Sequence, residues 1–283
     1  MKSGIPTTNH AQLARRAARK FQLLYGRVAA ACQPNPLSGF PKTIVTTFFD
    51  VEGDYAAPGQ HRACIETIYR ILEIEKKYGI HSTYNIVARF ALDFPDALSA
   101  LNIAGHEIAS HSYDHTVLRG LSSRQLSEDV GRAKTALSDL GVQVVGFRSP
   151  QSTWSRRLVR VLFREGFKWS AENGRELYPY RLLSKGAAVL WRFPVTTDDW
   201  CYMRDRVTPD EALNTWKLLV RRACDTRRYT AIGFHPWVEA ASGRLTAFDE
   251  FLHWISEQSD VQVMPFGRVL GLIQERRHLD SST

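Results

Sequence analysis

The chain has 283 residues, 44% of them hydrophobic and 23% charged, with a formal net charge of +8. This is ordinary globular composition, which excludes a fibrous repeat or a mainly disordered chain. Seven positive charges, on Lys2, Arg15, Arg16, Arg19, Lys20, Arg27 and Lys42, precede the first acidic residue, Asp50, so the rest of the chain is near neutral; a nucleic-acid-binding domain would instead carry its charge on its own face, and nucleic acid is not an expected partner.

Between His10 and Cys32, the residues Leu13, Ala17, Phe21, Leu24 and Val28 recur at helical spacing beside arginines, and Gln33-Pro34-Asn35-Pro36 ends the pattern. This basic helix either meets anionic lipid or a partner, or packs on the main domain. Residues 1–40 are set apart as helix and linker, 41–275 as the main domain and 276–283 as a polar tail. From Lys42 onward strands and helices alternate. Strands are expected at Thr43 to Phe49, His81 to Val87, His106 to Ser110, Val142 to Phe147, Val189 to Phe193 and Tyr229 to Phe234. Helices are expected at Arg62 to Tyr78, Pro95 to Asn102, Ser122 to Leu140, Trp154 to Glu165, Pro209 to Cys224, Phe248 to Glu257 and Gly267 to Arg276. Repeated strand–helix units imply an α/β fold with a mostly parallel sheet, open or closed into a barrel, and chemistry where the strands end.

The four cysteines, Cys32, Cys64, Cys201 and Cys224, form no Cys-x-x-Cys pair, so neither a zinc knuckle nor a disulfide framework is indicated. No run of about 18 apolar residues is present to span a bilayer, and arginines interrupt every short apolar stretch before Pro34 that could serve a signal peptide. A cytoplasmic location, at most peripheral to a membrane, is the expectation.

Polar groups follow four of the expected strands: Asp50 and Glu52, His111 and His115, Arg148 to Pro150, and His235. Two histidines at i and i+4 can face one point, and a carboxylate from another strand completes a two-histidine, one-carboxylate site with open positions. His106 is read as structural, and His61, His81 and His253 have no companion groups.

Five segments in order resemble the motifs of the polysaccharide deacetylases, the NodB-homology carbohydrate esterases. They are Phe49-Asp50-Val51-Glu52, the stretch from Gly105 to His115, Phe147-Arg148-Ser149-Pro150, Thr196-Thr197-Asp198-Asp199-Trp200, and Gly233-Phe234-His235-Pro236. The resemblance implies a distorted (β/α) barrel and a metal-dependent hydrolase that removes an N-acyl group from an amino sugar of a glycan or lipid-linked precursor. It implies Asp50 as base, Glu52, His111 and His115 as ligands of a divalent ion, with zinc as the default, and Arg148 as the partner of Asp50. It further implies the Gln151 backbone as oxyanion donor, His235 as acid and Asp199 as its helper. Pro150, Trp154, Trp200 and Trp237 join Gln151 as substrate-binding candidates.

The departures matter. The usual adjacent aspartates are replaced by Asp50 and Glu52, which point to the same side of an extended strand end; Asp54 is a rival ligand. Thr196 stands where the fourth motif has its first aspartate, which leaves Asp198 and Asp199 both open as helpers of His235. The acid spacing and the final His-Pro resemble an intracellular branch with peptidoglycan deacetylase-like and cyclic-amide hydrolase members. A small cyclic amide or formamide is therefore an alternative substrate. A non-catalytic glycan-binding or scaffold role is the other alternative, against which the intact polar set argues. Since every candidate catalytic residue follows Phe49, the basic helix is expected to be dispensable for hydrolysis.

Overall fold

The computed structural model describes residues 22, 24–56, 58–226 and 229–281. Its ten strands lie in one mostly parallel sheet. In chain order the first half runs β1 (Thr43–Val51), α1 (His61–Tyr78), β2 (Thr83–Ile86), α2 (Ala88–Asp93), α3 (Pro95–Ile103), β3 (Glu107–Ser110), α4 (Ser123–Asp139), β4 (Gly146–Arg148) and α5 (Arg156–Arg164). The second half runs β5 (Trp169–Asn173), β6 (Tyr180–Lys185), β7 (Ala188–Val195), β8 (Thr197–Asp198), α6 (Trp200–Arg204), α7 (Pro209–Thr226), β9 (Thr230–Phe234), α8 (Pro236–Glu239), α9 (Arg244–Ser256), β10 (Val261–Val263) and α10 (Phe266–Ser281).

The spatial order is β6-β7-β5-β4-β3-β2-β1-β9-β8, with β10 beside the start of β1. β7 runs almost directly into β8, and β8 pairs with β9 at the opposite end of that order. The Thr196 N–H donates to Ala231 O at 3.0 Å in the same seam. One continuous segment thus joins the two ends, and the sheet closes on itself. Among the described strands only the β6–β7 hairpin is antiparallel.

Closure explains why β1 is buried along its whole length. Ile44 and Phe48 face an inner cluster with Trp169, Phe193 and Phe266, whereas Val45, Phe49 and Val51 face the outer layer with Phe234 and Phe248. Alternation carries Asp50 to the inner side, in step with Ile44 and Phe48. Phe266, at the start of α10, packs on Phe48, Trp169 and Phe193 with ring centroids 4.8–5.6 Å apart. The helical layer is set by local signals that the sequence carries. Ser122 caps α4 in a reciprocal box with Gln125, Ser155 caps α5, and Gly79 ends α1 in the left-handed region at φ 63°.

Four expectations need correction. β5, β6, β8 and β10 were not expected, nor were the short helices α2, α6 and α8. β5 alternates only over Trp169-Ser170-Ala171-Glu172, too short a run with two apolar residues to mark a strand, and its Ser170 and Glu172 are buried as well. The strand expected at Val142 to Phe147 is confined to Gly146–Arg148. The helix expected at Gly267 to Arg276 runs from Phe266 to Ser281. The basic helix, described at residues 24–31, packs on the body through Tyr25, Ala29 and Ala30. Its expected apolar stripe is reversed there, with Leu24 63% and Val28 57% exposed; Leu13, Ala17 and Phe21 lie outside the described residues.

Candidate active site

The candidate residues gather at the C-terminal ends of β1, β3, β4, β8 and β9, where a parallel barrel opens its loops. Asp50 is 2% exposed. Its Oδ2 lies 2.6 Å from Arg148 Nε, and its Oδ1 accepts the Asn85 side-chain N–H at 2.8 Å. Burial opposes the charge on Asp50, but Arg148, with His111 and His235, outweighs it and holds the carboxyl below its ordinary range. Arg148 is fixed in turn. Its Nη2 reaches Asp198 Oδ2 at 3.2 Å, and Asn173 Oδ1 accepts from Nη1 at 3.3 Å.

Glu52, 4% exposed, sits just past β1. Its Oε1 lies 3.1 Å from His111 Nε2 and 2.8 Å from His115 Nε2, while the Trp237 indole N–H donates to Oε2 at 3.4 Å. The His111 Nδ1 is 2.9 Å from the Arg148 carbonyl, which can only accept, so Nδ1 carries a proton and the ring turns Nε2 toward Glu52. Ser112 and His115 both take left-handed backbone, at φ 69° and 64°, and the Ser112 hydroxyl accepts the His115 N–H at 3.1 Å. This turn brings His115 back toward His111, with ring centroids 5.2 Å apart.

These atoms fit a divalent ion. One donor atom from each of Glu52, His111 and His115 lies within 4.8 Å of the others. His115 Nε2 is buried with no hydrogen-bond partner despite its closeness to Glu52. Two imidazole nitrogens and one carboxylate oxygen are a donor set suited to zinc and related ions. Asp54 is elsewhere: its carboxylate accepts the His61 N–H at 2.6 Å, and its own N–H donates to the His61 ring at 3.2 Å. That rival ligand is removed from the converging set.

His235 lies opposite. Its Nε2 is 3.8 Å from both Asp50 Oδ2 and Glu52 Oε1. Its Nδ1 hydrogen-bonds Asp199 Oδ1, and its backbone N–H donates to Asp199 Oδ2 at 2.7 Å. Burial disfavours the imidazolium, but Asp199, then Glu52 and Asp50, raise its pKa well above the ordinary histidine value. Asp199 is therefore the side chain paired with His235, and Asp198 is paired with Arg148.

The substrate-binding candidates divide. Pro150 and Gln151 form a tight turn after β4, with Gln151 at φ 54° and Ser152 at φ 51°. Trp154 is only 5% exposed. Arg192 stacks over its ring at 4.4 Å and Tyr25 meets it edge-on at 5.9 Å, so Trp154 packs the body and presents no free face to a sugar. Trp237 is also buried, between His235 and Trp200. Trp200, 45% exposed, is the tryptophan of the three that keeps an open face.

Sequence reasoning missed Asn85, Glu172, Asn173 and Glu239. Asn85 and Asn173 end strands as the recognised residues do, so their positions carried a signal once the strands were known. Glu239 is wholly buried near Asp199. Burial and then Asp199 raise its pKa well above the ordinary carboxyl range.

Residues 41–169 match the family model described as polysaccharide deacetylase. A curated relative, the chitooligosaccharide deacetylase of Azorhizobium caulinodans, is 24% identical over 107 residues, which cover 36% of this chain and 51% of that protein. The match thus spans about half of that relative's length. A Mycobacterium smegmatis structure assigned to the polysaccharide deacetylases superposes with a TM-score of 0.79 at 24% identity, covering 86% of this chain and 95% of that one. The PuuE allantoinase structure gives 0.70 at 18% identity, covering 86% and 93%. At such identities these likenesses establish the fold, and they extend it past residue 169 to the strands bearing Asp199 and His235. The first three motifs lie within residues 41–169, the part of the chain that the polysaccharide deacetylase family model matches.

Proposed function

We propose that the protein is a metal-dependent hydrolase that removes an N-acyl group, acetyl in the first instance, from an amino sugar of a glycan or lipid-linked glycan precursor. The observation that carries this reading is the convergence of three units at one point: Asp50 with Arg148, Glu52 with His111 and His115, and His235 with Asp199. The name of the chitooligosaccharide deacetylase relative supports the substrate class.

Glu52, His111 and His115 would hold a divalent ion, with zinc as our choice, and that ion would supply Lewis-acid activation of water and of the scissile carbonyl. The protein supplies the rest. Asp50, kept ionised by Arg148 and oriented by Asn85, receives the proton of the attacking water. The Gln151 N–H holds the developing oxyanion, a task that needs only backbone and tolerates the changed side chain. His235, charged through its contact with Asp199, gives a proton to the departing nitrogen. Trp200 offers a stacking face for a sugar ring.

The fold likeness to PuuE allantoinase favours a second reading, hydrolysis of a small cyclic amide by the same groups. We also propose a cytoplasmic location, with residues 1–40 meeting an anionic membrane surface; among the described residues no helix is long and apolar enough to cross a membrane. One experiment tests the function: elemental analysis of the purified protein with assays of acetate, formate and ring-opened product on a panel of amino sugars and small amides. Acid release from acylated amino sugars is the expected result. Turnover of cyclic amides alone would transfer the assignment to the second reading, and no turnover with a metal-free protein would leave the scaffold role.

A further inference from the structure

We infer that Glu172 is a positioning residue for the turn after β4, holding the Gln151 amide where the proposed chemistry needs it. This deepens the reading of the site as an amide hydrolase and rests on it for its kinetic consequence, but not for its structural one.

Glu172 is 1% exposed and lies on β5, the strand next to β4. Its Oε1 accepts the Ser149 N–H at 3.2 Å. Its Oε2 accepts the Ser149 hydroxyl at 2.7 Å and the Ser152 hydroxyl at 2.8 Å. The Ser152 Oγ in turn accepts the Asn173 N–H at 2.7 Å. One buried carboxylate therefore grips the turn on both sides of Pro150 and Gln151.

The grip has something to oppose. Gln151 and Ser152 are consecutive left-handed residues, and neither is glycine. A backbone in that region relaxes unless its surroundings fix it, and the amide that would meet an oxyanion lies inside the strained pair. The next residue on β5 extends the same control to the base, since Asn173 accepts from the Arg148 guanidinium and donates to Asp198 at 3.2 Å. Glu172 and Asn173 thus set the oxyanion turn and the Arg148 partner of Asp50 from one strand end. Arg192 lines the same small cavity as Glu172, which places a buried cation near the buried anion.

The variant Glu172→Leu keeps bulk and deletes every acceptor; Glu172→Gln keeps one. Two measurements are made on the full chain. The first is hydrogen exchange of the Ser152 and Thr153 amides, which donate to Ser149 O and Pro150 O at 2.9 and 3.1 Å. The second is the split between kcat and KM on the substrate found in the panel assay. Glu172→Leu should exchange those amides at least tenfold faster and lose at least tenfold in kcat, with KM and metal content near wild type. Glu172→Gln should fall between. Adding Gln151→Gly, which removes the penalty on left-handed backbone at that position, should restore part of the kcat lost in Glu172→Leu. If Glu172→Leu fails to fold, the Ser149→Ala/Ser152→Ala double variant removes both hydroxyl contacts and carries the same expectations. Unchanged exchange and unchanged kcat in a folded variant would overturn the inference, as would a loss of kcat that tracks a loss of metal. Faster exchange in a protein that hydrolyses no amide would uphold the role of Glu172 in the turn and refute the proposed function separately.

Discussion

Arg148 Nε lies 2.6 Å from Asp50 Oδ2, with each side chain 3% exposed, while Glu52, two residues along, faces two histidines. Two neighbouring carboxylates thus have separate partners, and they should fail differently. Asp50→Asn keeps the size but cannot accept a proton. Turnover should fall by about 10² to 10⁴-fold with metal content unchanged. Arg148 retains Asp198, so it is not left as an unpaired buried charge. Glu52→Gln removes a charged ligand, so metal affinity should drop first and added metal should restore part of the rate. Metal analysis beside steady-state rates decides, and loss of metal from Asp50→Asn with retention by Glu52→Gln would exchange the two roles.

His111→Ala and His115→Ala should each lose the metal and keep the fold, because a closed barrel with an apolar interior does not rely on an ion for its core. Circular dichroism and thermal melting check the fold, and elemental analysis checks the metal. Unfolding of both variants at room temperature would show that the ion is structural.

The site was legible where it rests on local spacing. Asp50 and Glu52 could be placed on one side because strand side chains alternate, and His111 and His115 could be paired because one turn joins them. The choice between Asp198 and Asp199 could not be made, since adjacent residues differ in sequence by nothing that says which faces β9. Trp154 looked like a sugar platform because of its place after the third motif, but Arg192 and Tyr25, distant in sequence, cover it. β5 was not read because Trp169 and Ala171 are its only apolar residues, and the burial of Glu172 follows from its bonds to Ser149 and Ser152, which the sequence does not show.

The basic helix was expected to be dispensable, but its contacts argue the reverse. The Gln22 side chain donates to the Trp154 carbonyl, Tyr25 packs on the Trp154 ring, and Gln33 bonds the Arg181 backbone on β6. Truncation before Pro41 should lower the melting temperature and reduce turnover several-fold, with metal retained. A truncated protein as stable and active as the full chain would restore the original expectation.

Below the site, Glu75 is wholly buried and accepts from Tyr84 Oη at 2.5 Å and from the Ser82 hydroxyl. Burial pushes its pKa up to about 8, above the effect of those hydrogen bonds. Burial and His81 push the nearby His106 down to about 4. The signs differ. For Glu75 the folded state holds a proton that the unfolded state gives up, so its contribution is full below the ordinary carboxyl range and is lost as pH rises toward 8. For His106 the unfolded state takes the extra proton, so stability is lost as pH falls from the ordinary histidine value toward 4. The two nearly cancel below the histidine value, and the Glu75 loss stands alone between there and pH 8, at roughly 1.4 kcal/mol per pH unit at most. Glu75→Gln should remove that decline. Urea midpoints of both proteins at a series of pH values test it, and parallel curves would sink the assignment.

Trp200 separates the two proposed substrates. It is 45% exposed and stands edge-on to Trp237, whose indole N–H reaches Glu52, so its open face adjoins the reacting groups without belonging to them. A sugar ring beside the scissile amide could lie on that face, whereas a small cyclic amide held among Asp50, Gln151 and His235 has no second ring to place there. Trp200→Ala should therefore raise KM for an oligomeric acylated amino sugar by roughly tenfold, equivalent to about 1.4 kcal/mol of binding. The kcat should change little, because the residue touches neither the base nor the acid. For a small amide both constants should stay near wild type. A tenfold KM effect confined to the longer substrate identifies a glycan-binding surface; equal and small effects on both would remove Trp200 from the substrate path and count against the glycan reading.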